Sequence, residues 1–446
     1  MPATLKDSST RNCISNYLKG YPKQIWKSWE THVMWLNNLR IYSPDGEIER
    51  GSILIRDGKI EDLLQGAARE SGINCEGLAA LPGIIDFHGD MLEREVEPRP
   101  GVHLPIDLGI FELDKRLAAS GLTTAYPAIS FAWHAKDTFR SENRAIDLIR
   151  AVNKYHNDCL TDMRVHSRFE ITNPDAGQVL INLLGEHQIQ LVSIMDHTPG
   201  QGQYRDIEAY IQFAMKWRRE KMGMEISEEE MHENVRVAQE RPKAWDTVRM
   251  VGQITQKENI PLASHDDDTP EKVAMVHDMG ATISEFPVTV EAAQAARERS
   301  MYTVMGAPNA LRGSSHSGNL SAADAIAEGL VDILAADYYP SALLHSIYAL
   351  QEKGILPVAE GIKLISENPA RALNMEGRGR LEPGMFADIT LVQEGQRPRV
   401  RATVRSGVPI YWDGHMSQLE GVDLSSGYQI GHVVDTIESP EERIAS

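Results

Sequence analysis

The chain has 446 residues, of which 42% are hydrophobic and 24% are charged, values typical of a globular protein with a large core. This length is large for one domain and suits a barrel with a smaller accessory unit. Acidic residues (64) outnumber basic residues (45) and give a net charge of −19. So acidic a surface argues against non-specific binding to nucleic acid or to anionic membranes. A polyanionic substrate would need a local metal or an arginine cluster to hold it.

The cysteines and the apolar segments predict the compartment. Cys13, Cys75 and Cys159 are widely spaced, which indicates a reducing environment and neither a disulfide framework nor a thiolate zinc site. No apolar run reaches the length of about 18 residues that a membrane-spanning helix needs. The N-terminal residues lack the charged-then-apolar order of a secretory signal. We therefore expect a cytoplasmic protein.

The two ends of the chain differ from its centre. Residues 1–30 show little periodicity and predict an N-terminal extension. Residues 31–80 contain alternating apolar segments and a hairpin signal at Pro44-Asp45-Gly46. Residues 376–420 form a second β-rich stretch, and we expect one small β-sandwich-like domain built from both stretches. Residues 421–446 are acidic and polar and predict a C-terminal tail.

The central region, residues 81–375, alternates short β-branched runs with longer amphipathic segments, which predicts a parallel sheet with helical crossovers. Eight candidate strands favour an α/β fold with a closed (β/α)8 TIM-like barrel over an open doubly wound sheet. These strands are PGIIDFH, TTAYPAISF, MRVHSRFEI, QLVSIMDH, PLASH, ATISEFP, YTVMGAP and VDILAAD. Residues 204–259 predict a charged helical insertion between two strands. A solvated helical excursion is one interpretation, and a lid or a subunit contact is the other.

The first of these strands ends in groups that can hold a metal. His88 and Asp90 are two positions apart, so in a strand their side chains point to the same face. Asp86 has the same parity but lies deeper in the strand. A polar strand end entering a loop would look the same, so this pair alone leaves both interpretations open.

Other candidate ligands stand at equivalent places, each at the C-terminal end of an apolar run. In a parallel barrel these ends lie on one face around one axis. Imidazole and carboxylate groups that converge there would bind one or two divalent ions, with Zn, Mn, Fe or Ni favoured over Ca. The ligand candidates are His88, Asp90, Glu170, His197, His265 and Asp337; Asp266, Asp267 and Asp268 follow His265 directly.

Two segments resemble the amidohydrolase superfamily: LPGIIDFHGD at residues 81–90 and ENPARALNMEGRGRLEPGMFADITLV at residues 367–392. Further segments resemble one family within it, the alpha-D-ribose 1-methylphosphonate 5-triphosphate diphosphatases. These are HGDMLEREVEPRPGVHLP, VSIMDHTPGQGQY, LASHDDDT, MGAPNALRGSSHSGN and ILAADYYPSALL. The resemblance covers about residues 81–390.

This resemblance implies a reaction. The family cleaves the triphosphate of alpha-D-ribose 1-methylphosphonate 5-triphosphate to the 5-phosphate and pyrophosphate, in phosphonate degradation by the carbon–phosphorus lyase pathway. Glu170 is then expected to be a ligand that could bridge two ions, and Asp337 to contact the metal-bound water and act as the base. The remaining ligands implied by the resemblance are His88, Asp90, His197 and His265.

Substrate-binding candidates lie in two loops. The RGSSHSGN segment, residues 312–319, fits phosphate recognition because arginine, hydroxyl and amide groups donate hydrogen bonds and its glycines allow close backbone approach. Without the resemblance it would be a plain turn. The loop after the first strand adds two arginines that could equally be surface charges. The substrate-binding candidates are Arg94, Arg99, Arg312, Ser314, Ser315, His316, Ser317 and Asn319.

One departure leaves the substrate open, because Met91 stands after His-x-Asp where the family has asparagine. The alternatives are a C–N hydrolase (deaminase or deacylase) and a hydrolase of another phosphorylated riboside. A non-catalytic relative without metal is disfavoured because the ligand set is complete. The expected partner is a small phosphorylated riboside, with no nucleic acid and no membrane, in a homo-oligomer.

Overall fold

The computed structural model describes residues 33–66, 72–99, 101–131, 141–313 and 319–422. The predicted extension at residues 1–30 and the predicted tail from residue 423 onward lie outside these residues. The strands are, in chain order, β1 (Val33–Ser43), β2 (Gly46–Arg56), β3 (Lys59–Gln65), β4 (Ile73–Asn74), β5 (Ala79–Pro82), β6 (Ile84–Gly89), β7 (Leu122–Phe131), β8 (Asp162–Met163), β9 (His166–Glu170), β10 (Leu191–Met195), β11 (Leu262–His265), β12 (Ile283–Glu285), β13 (Tyr302–Gly306), β14 (Ile333–Ala335), β15 (Ile389–Gln393), β16 (Arg399–Arg405) and β17 (Val408–Trp412).

Helices fill most of the connections between the central strands. They are α1 (Leu92–Val96), α2 (Ile106–Ala119), α3 (Glu142–Tyr155), α4 (Asp175–Gly185), α5 (Ile207–Trp217), α6 (Glu228–Gln239), α7 (Trp245–Lys257), α8 (Pro270–Asp278), α9 (Val290–Glu298), α10 (Ala307–Arg312), α11 (Ala322–Ala327), α12 (Ala342–Glu352), α13 (Val358–Ile365) and α14 (Glu367–Ala372). Among the residues described, no helix is both long and apolar enough to cross a membrane.

Eight parallel strands form the barrel in the order β6-β7-β9-β10-β11-β12-β13-β14, with β8 beside β7. The ring closes between its first and last strands. There the Asp90 N–H donates to the Asp337 carbonyl over 2.6 Å, and the Asp337 N–H donates to the His88 carbonyl over 2.8 Å. These strands are short and almost entirely buried, as expected when helices cover a parallel sheet. The predicted TIM-like barrel is confirmed.

A second, mixed sheet contains strands from both ends of the described chain, in the order β17-β16-β15-β5-β1-β2-β3. Its buried face includes Leu36, Ile41, Ile53, Ile389 and Leu391. The central β5 runs directly into β6 through Gly83, whose N–H donates to the Asp388 carbonyl over 2.8 Å. The predicted small β domain from both chain ends is therefore present, and it is joined to the first barrel strand.

The region predicted as a helical insertion, residues 204–259, divides into two parts. Helix α7 belongs to the barrel layer, because Val248 and Val251 pack in the main core. Helices α5 and α6 instead share a small core of their own, made of Ile211, Met231 and Val235. The lid and subunit-contact interpretations therefore concern α5 and α6 and stay predictions.

We expect Gly252→Ala to lower the free energy of unfolding by about 1–3 kcal/mol, the usual cost of overpacking a core. Gly252 is buried in α7, and a Cβ there would lie 1.9 Å from the Met279 backbone oxygen. Gly185→Ala at the exposed end of α4 is the control, because a Cβ there meets nothing within 4 Å. Urea unfolding measures both variants. Equal stabilities would contradict the close contact between α7 and the turn after α8.

Candidate functional site

The six predicted ligands lie together at the C-terminal ends of the barrel strands. The His265 ring centroid is 6.0 Å from that of His88 and 5.8 Å from that of His197. His88, Asp90 and Asp337 bring ligand atoms within 4.8 Å of one another. Glu170 joins them through His197, with 2.7 Å between Oε2 and Nδ1.

Asp86 closes the barrel beneath this group. Its Oδ1 accepts the Ala336 N–H over 2.8 Å and the His88 N–H over 3.2 Å. Burial raises the pKa of Asp86 to about 7. Oδ1 therefore joins β6 to the residue that follows β14, while Oδ2 is buried without a hydrogen-bond partner among the described residues.

Asp266 and Asp337, two residues of the site that follow barrel strands, have a left-handed backbone conformation. Asp266 has φ +56° and Asp337 has φ +57°, values that are uncommon for residues other than glycine, although aspartate tolerates them better than most. Neighbouring strands hold both turns: the Asp266 N–H donates to the Glu285 carbonyl over 2.8 Å, as that of Asp337 does to His88. The turns direct both carboxylates across the barrel end.

A buried chain of hydrogen bonds orients His88. Its Nδ1 is 2.6 Å from Glu285 Oε1. The other oxygen of Glu285 accepts from Ser193 Oγ over 2.6 Å, and that hydroxyl lies 2.6 Å from His166 Nε2. Since the Ser193 proton goes to the carboxylate, His166 must be the donor to Ser193. Burial lowers the pKa of His166 to about 3, so this ring is neutral.

This hydrogen-bond network orients His88 so that its Nδ1–H donates to the Glu285 carboxylate and its Nε2 faces Asp90 Oδ1 at 3.1 Å. Burial opposes a charge on His88, but Glu285 and Asp90 raise its pKa to about 10. A bound cation would therefore displace a proton from Nε2. A carboxylate on the far nitrogen of a ligating histidine is the usual outer partner in metal sites.

His197 has the same kind of partner. Its Nδ1 is paired with the Glu170 carboxylate, and its Nε2 lies 3.7 Å from Asp266 Oδ2. Glu170 also accepts from Thr172 Oγ1 over 3.2 Å. Glu170, expected as a ligand that could bridge two ions, thus contacts the ring of His197.

Arg168 is a central residue that sequence reasoning missed. Its buried guanidinium donates from Nη1 to Asp90 Oδ1 at 3.0 Å and Oδ2 at 3.3 Å. Its Nη2 lies 3.2 Å from His265 Nε2. The available signal was its position two residues before Glu170 on one strand, which gives both side chains the same parity.

Four further residues were missed or only noted. Glu285 ends the apolar run of β12 as the predicted ligands end theirs, so its position was a usable signal. Asp266 was noted only as part of an acidic run. Nothing in the sequence indicates the hydrogen-bond partners of Ser193 and His166, because both residues belong to buried strands.

The donor set fits a divalent cation. Asp266 Oδ2 and His265 Nδ1 are buried, 3.1 Å apart, and without a hydrogen-bond partner among the described residues. Among the described residues four groups of three ligand atoms qualify by distance: His88 with Asp90 and Asp337, His197 with His265 and Asp266, His88 with His166 and Glu285, and the exposed Glu208, Glu228 and His232. The first two groups consist of strand-end residues that were candidate ligands or follow one directly. Nitrogen and oxygen donors of these types suit transition metals such as Zn, Mn, Fe or Ni.

Four of the predicted substrate-binding residues, Arg94, Arg99, Arg312 and Asn319, lie among the described residues. Arg94 is exposed, with its guanidinium carbon 5.9 Å from the ring centroid of Tyr338, the residue after Asp337. Arg99 is exposed, and so is Arg312 at the end of α10, which follows β13 directly. Asn319 is half-buried. Ser314, Ser315, His316 and Ser317 lie outside the described residues.

Met91 does not face the ligand group. Its side chain is buried in the main core, 2% exposed, and its methyl group would lie 2.3 Å from a Cβ on Gly89. A side chain at position 89, between the candidate ligands His88 and Asp90, would therefore clash with Met91.

Comparisons with known proteins agree with this architecture. The model of the amidohydrolase family matches residues 236–411. The alpha-D-ribose 1-methylphosphonate 5-triphosphate diphosphatase of Escherichia coli (strain K12) is 32% identical over 368 residues, covering 80% of this chain and 94% of the relative. The dihydroorotase of Elusimicrobium minutum (strain Pei191) is 24% identical over 392 residues, covering 77% and 82%.

Solved structures show the same fold. The dihydropyrimidinase from Brevibacillus agri NCHU1002 superposes with a TM-score of 0.56 at 13% identity, covering 85% of this chain and 95% of that chain. At this identity the likeness concerns the fold alone.

We expect Glu285→Gln to weaken divalent-cation binding about 10–100-fold, the usual effect of removing an outer carboxylate partner. The amide cannot accept at both positions where Glu285 accepts from His88 and Ser193. Cation affinity is measured by titration of the metal-free protein with Mn²⁺. Glu271→Gln, on the surface of α8, is the control, and equal affinities in the two variants would contradict the orienting role.

Proposed function

Because the chain belongs to the alpha-D-ribose 1-methylphosphonate 5-triphosphate diphosphatase family of the amidohydrolase superfamily, we propose that it hydrolyses that triphosphate to the 5-phosphate and pyrophosphate. The chain is a hydrolase. The observation that carries the substrate proposal is the 32% identity over 94% of the Escherichia coli diphosphatase. In this proposal the enzyme acts in phosphonate degradation.

The candidate ligands of the cation are the two groups at the barrel end. His88, Asp90 and Asp337 form one, and His197 with His265 forms the other together with Asp266. A divalent cation bound there polarises a phosphoryl oxygen and lowers the pKa of water toward 7. Phosphoryl transfer needs little beyond such charge neutralisation and positioning.

Asp337 is the proposed general base. Burial raises the pKa of its carboxyl above the usual value, which makes the carboxylate a better proton acceptor. Its backbone is fixed by the bond to the His88 carbonyl. The carboxylate oxygens would take the proton of the attacking water.

Arginines at the barrel end are the proposed contacts of the phosphate chain. Arg94 and Arg99 follow the first barrel strand, and Arg312 follows the seventh. Guanidinium groups bind phosphate oxygens in a bidentate manner. In a chain of net charge −19, such local cations offset the repulsion of a polyanion.

A C–N hydrolase is the second candidate. The dihydroorotase relative, 24% identical, favours it. The two candidates differ in product, since an amide substrate yields an amine or ammonia and a carboxylate instead of pyrophosphate.

The purified enzyme with Mn²⁺ or Zn²⁺ is expected to release pyrophosphate from the ribosyl triphosphate, and Asp337→Asn to lower kcat about 10²–10⁴-fold, as loss of a general base does. Asp324→Asn in α11 is the matched control. A coupled pyrophosphate assay measures release. Turnover of a cyclic or linear amide panel without pyrophosphate release would instead support the C–N hydrolase.

Arg312→Ala is expected to raise KM for the triphosphate about 10-fold or more while kcat changes little, because a charge-assisted hydrogen bond contributes about 1.5–3 kcal/mol. The exposed Arg249→Ala in α7 is the control. An unchanged KM would show that Arg312 does not contact the phosphates.

A further inference from the structure

A cavity of about 370 Å³ lies between the barrel and the small β domain. On the barrel side it is lined by Ser120, which follows α2, and by Ser341 and His345 at the start of α12. On the other side it is lined by Arg399 of β16 and Tyr411 of β17. None of its lining residues is a candidate cation ligand. Its volume is within the range of roughly 300–1,000 Å³ that is usual for small-molecule sites, which often lie between domains.

Strand β16 directs two arginines toward this inter-domain cavity. Arg399 and Arg401 are two positions apart, so their side chains lie on the same face of the strand. Thr403 continues this series, and its Oγ1 donates to the Ala118 carbonyl of α2 over 2.7 Å. This bond shows that the face packs against the barrel helices, and both arginines line the cavity.

The two arginines differ in their partners. Arg401 is 15% exposed, and it donates from Nη1 to Asp413 Oδ2 over 2.7 Å and from Nε to Gln393 Oε1 over 3.0 Å. The exposed side chain of Arg399 has no hydrogen-bond or ion-pair partner within the described part of the chain. Its guanidinium is therefore available to an anion, and guanidinium groups match phosphate oxygens in a bidentate manner.

A second positive charge lies near the cavity. Burial and the charge of Arg397 both lower the pKa of the half-buried His345 ring. His345 is therefore neutral at neutral pH and offers one hydrogen-bond donor and one acceptor. The positive charge at the cavity thus comes from the arginines, whereas the one lining carboxylate, Asp413, is already paired with Arg401.

The barrel side of the cavity offers a hydrogen-bond acceptor. Ser120 Oγ donates to the Arg116 carbonyl over 2.8 Å, so in the 3.1 Å contact between Ser120 Oγ and Ser341 Oγ the donor is Ser341. The lone pairs of Ser341 Oγ can then accept from a ligand. Leu344 and Tyr411 add carbon surface to the lining. A complementary ligand therefore has an anionic group, hydroxyl groups and a short carbon frame.

We propose that the inter-domain cavity binds a small phosphorylated sugar, with its phosphate on Arg399 and one of its hydroxyl groups donating to Ser341 Oγ. This site is separate from the candidate cation ligands at the barrel end. The proposal does not rest on the proposed function, and a failed pyrophosphate-release assay would leave it unchanged.

The test reads the cavity directly, through the reactivity of Arg399. Full-length protein is treated with phenylglyoxal, which modifies arginines, with and without ribose 5-phosphate, and the modified peptides are quantified by mass spectrometry. The rate at Arg399 is expected to fall about 10-fold at ten times the Kd, because only unoccupied protein reacts. Arg50, an exposed arginine on β2, is the internal control. An unchanged rate at Arg399 would overturn the proposal.

Two simpler probes separate the parts of the ligand. Inorganic phosphate is expected to protect Arg399 less than ribose 5-phosphate at the same concentration, and ribose is expected to give no protection. Equal protection by inorganic phosphate would overturn the assignment to a sugar. Equal protection by ribose would overturn the contact between Arg399 and the phosphate.

Variants locate the bound probe. Ser341→Ala is expected to raise the concentration of ribose 5-phosphate needed for half-protection of Arg399 about 2–10-fold, the usual effect of one lost hydrogen bond. An unchanged concentration would refute the contact with Ser341. Asp337→Asn is the matched control and is expected to leave the protection of Arg399 unchanged. Loss of protection in that variant would place the probe at the barrel end and overturn the separate site.

Discussion

The hydrogen-bonded seam between β6 and β14 is the constraint on which the candidate site depends. It joins residues 250 positions apart in the chain, where Asp86 accepts the Ala336 N–H. The same seam places Asp337 beside His88 and Asp90. Contacts of such long sequence separation form late and slowly in folding, because the chain must close a large loop first. The first cation group thus exists only when the barrel is complete.

The buried polar groups around this seam lower the stability of the fold unless hydrogen-bond partners compensate for their removal from water. A charged or polar group out of water destabilises a protein unless a partner satisfies it. Here the partners are matched closely: Glu285, with no exposed surface, receives donors from His88 and Ser193. The left-handed backbone at Asp266 and Asp337 adds a local strain that neighbouring strands hold in place. A site that is ordered before any ligand binds is what the proposed phosphoryl transfer would require.

The sequence was sufficient to predict the barrel and the end at which its ligands gather. Eight apolar runs corresponded to the eight strands, and a polar residue at a strand end is informative because parallel strands share one direction. The sequence did not predict the contacts of Arg168, because the neighbours of an arginine inside an apolar run are known only once the barrel strands are in place.

The partner of each histidine was also beyond the sequence. Which ring nitrogen of His88 or His197 faces the barrel axis depends on a carboxylate from another strand. Glu170 is an example: its place at a strand end predicted a ligand, which stays a prediction, while its contact with the ring of His197 could not be predicted. The position of a carboxylate in the sequence predicts which part of the barrel it lies in. Its role depends on which hydrogen-bond donors lie beside it in the folded protein.

The negative charge of the whole protein and of the site carboxylates affects which ligands can bind at the barrel end. The net charge of −19 and the carboxylates of Asp90, Asp337 and Asp266 would repel a triphosphate from this end of the barrel. A divalent ion and the buried guanidinium of Arg168 would together offset the charge of these three carboxylates without changing the surface. The acidic residues that would hold the cation would also repel polyanions in its absence. Under the proposed function, substrate binding and cation binding are therefore expected to be coupled by electrostatics, so that a metal-free protein loses substrate affinity as well as turnover.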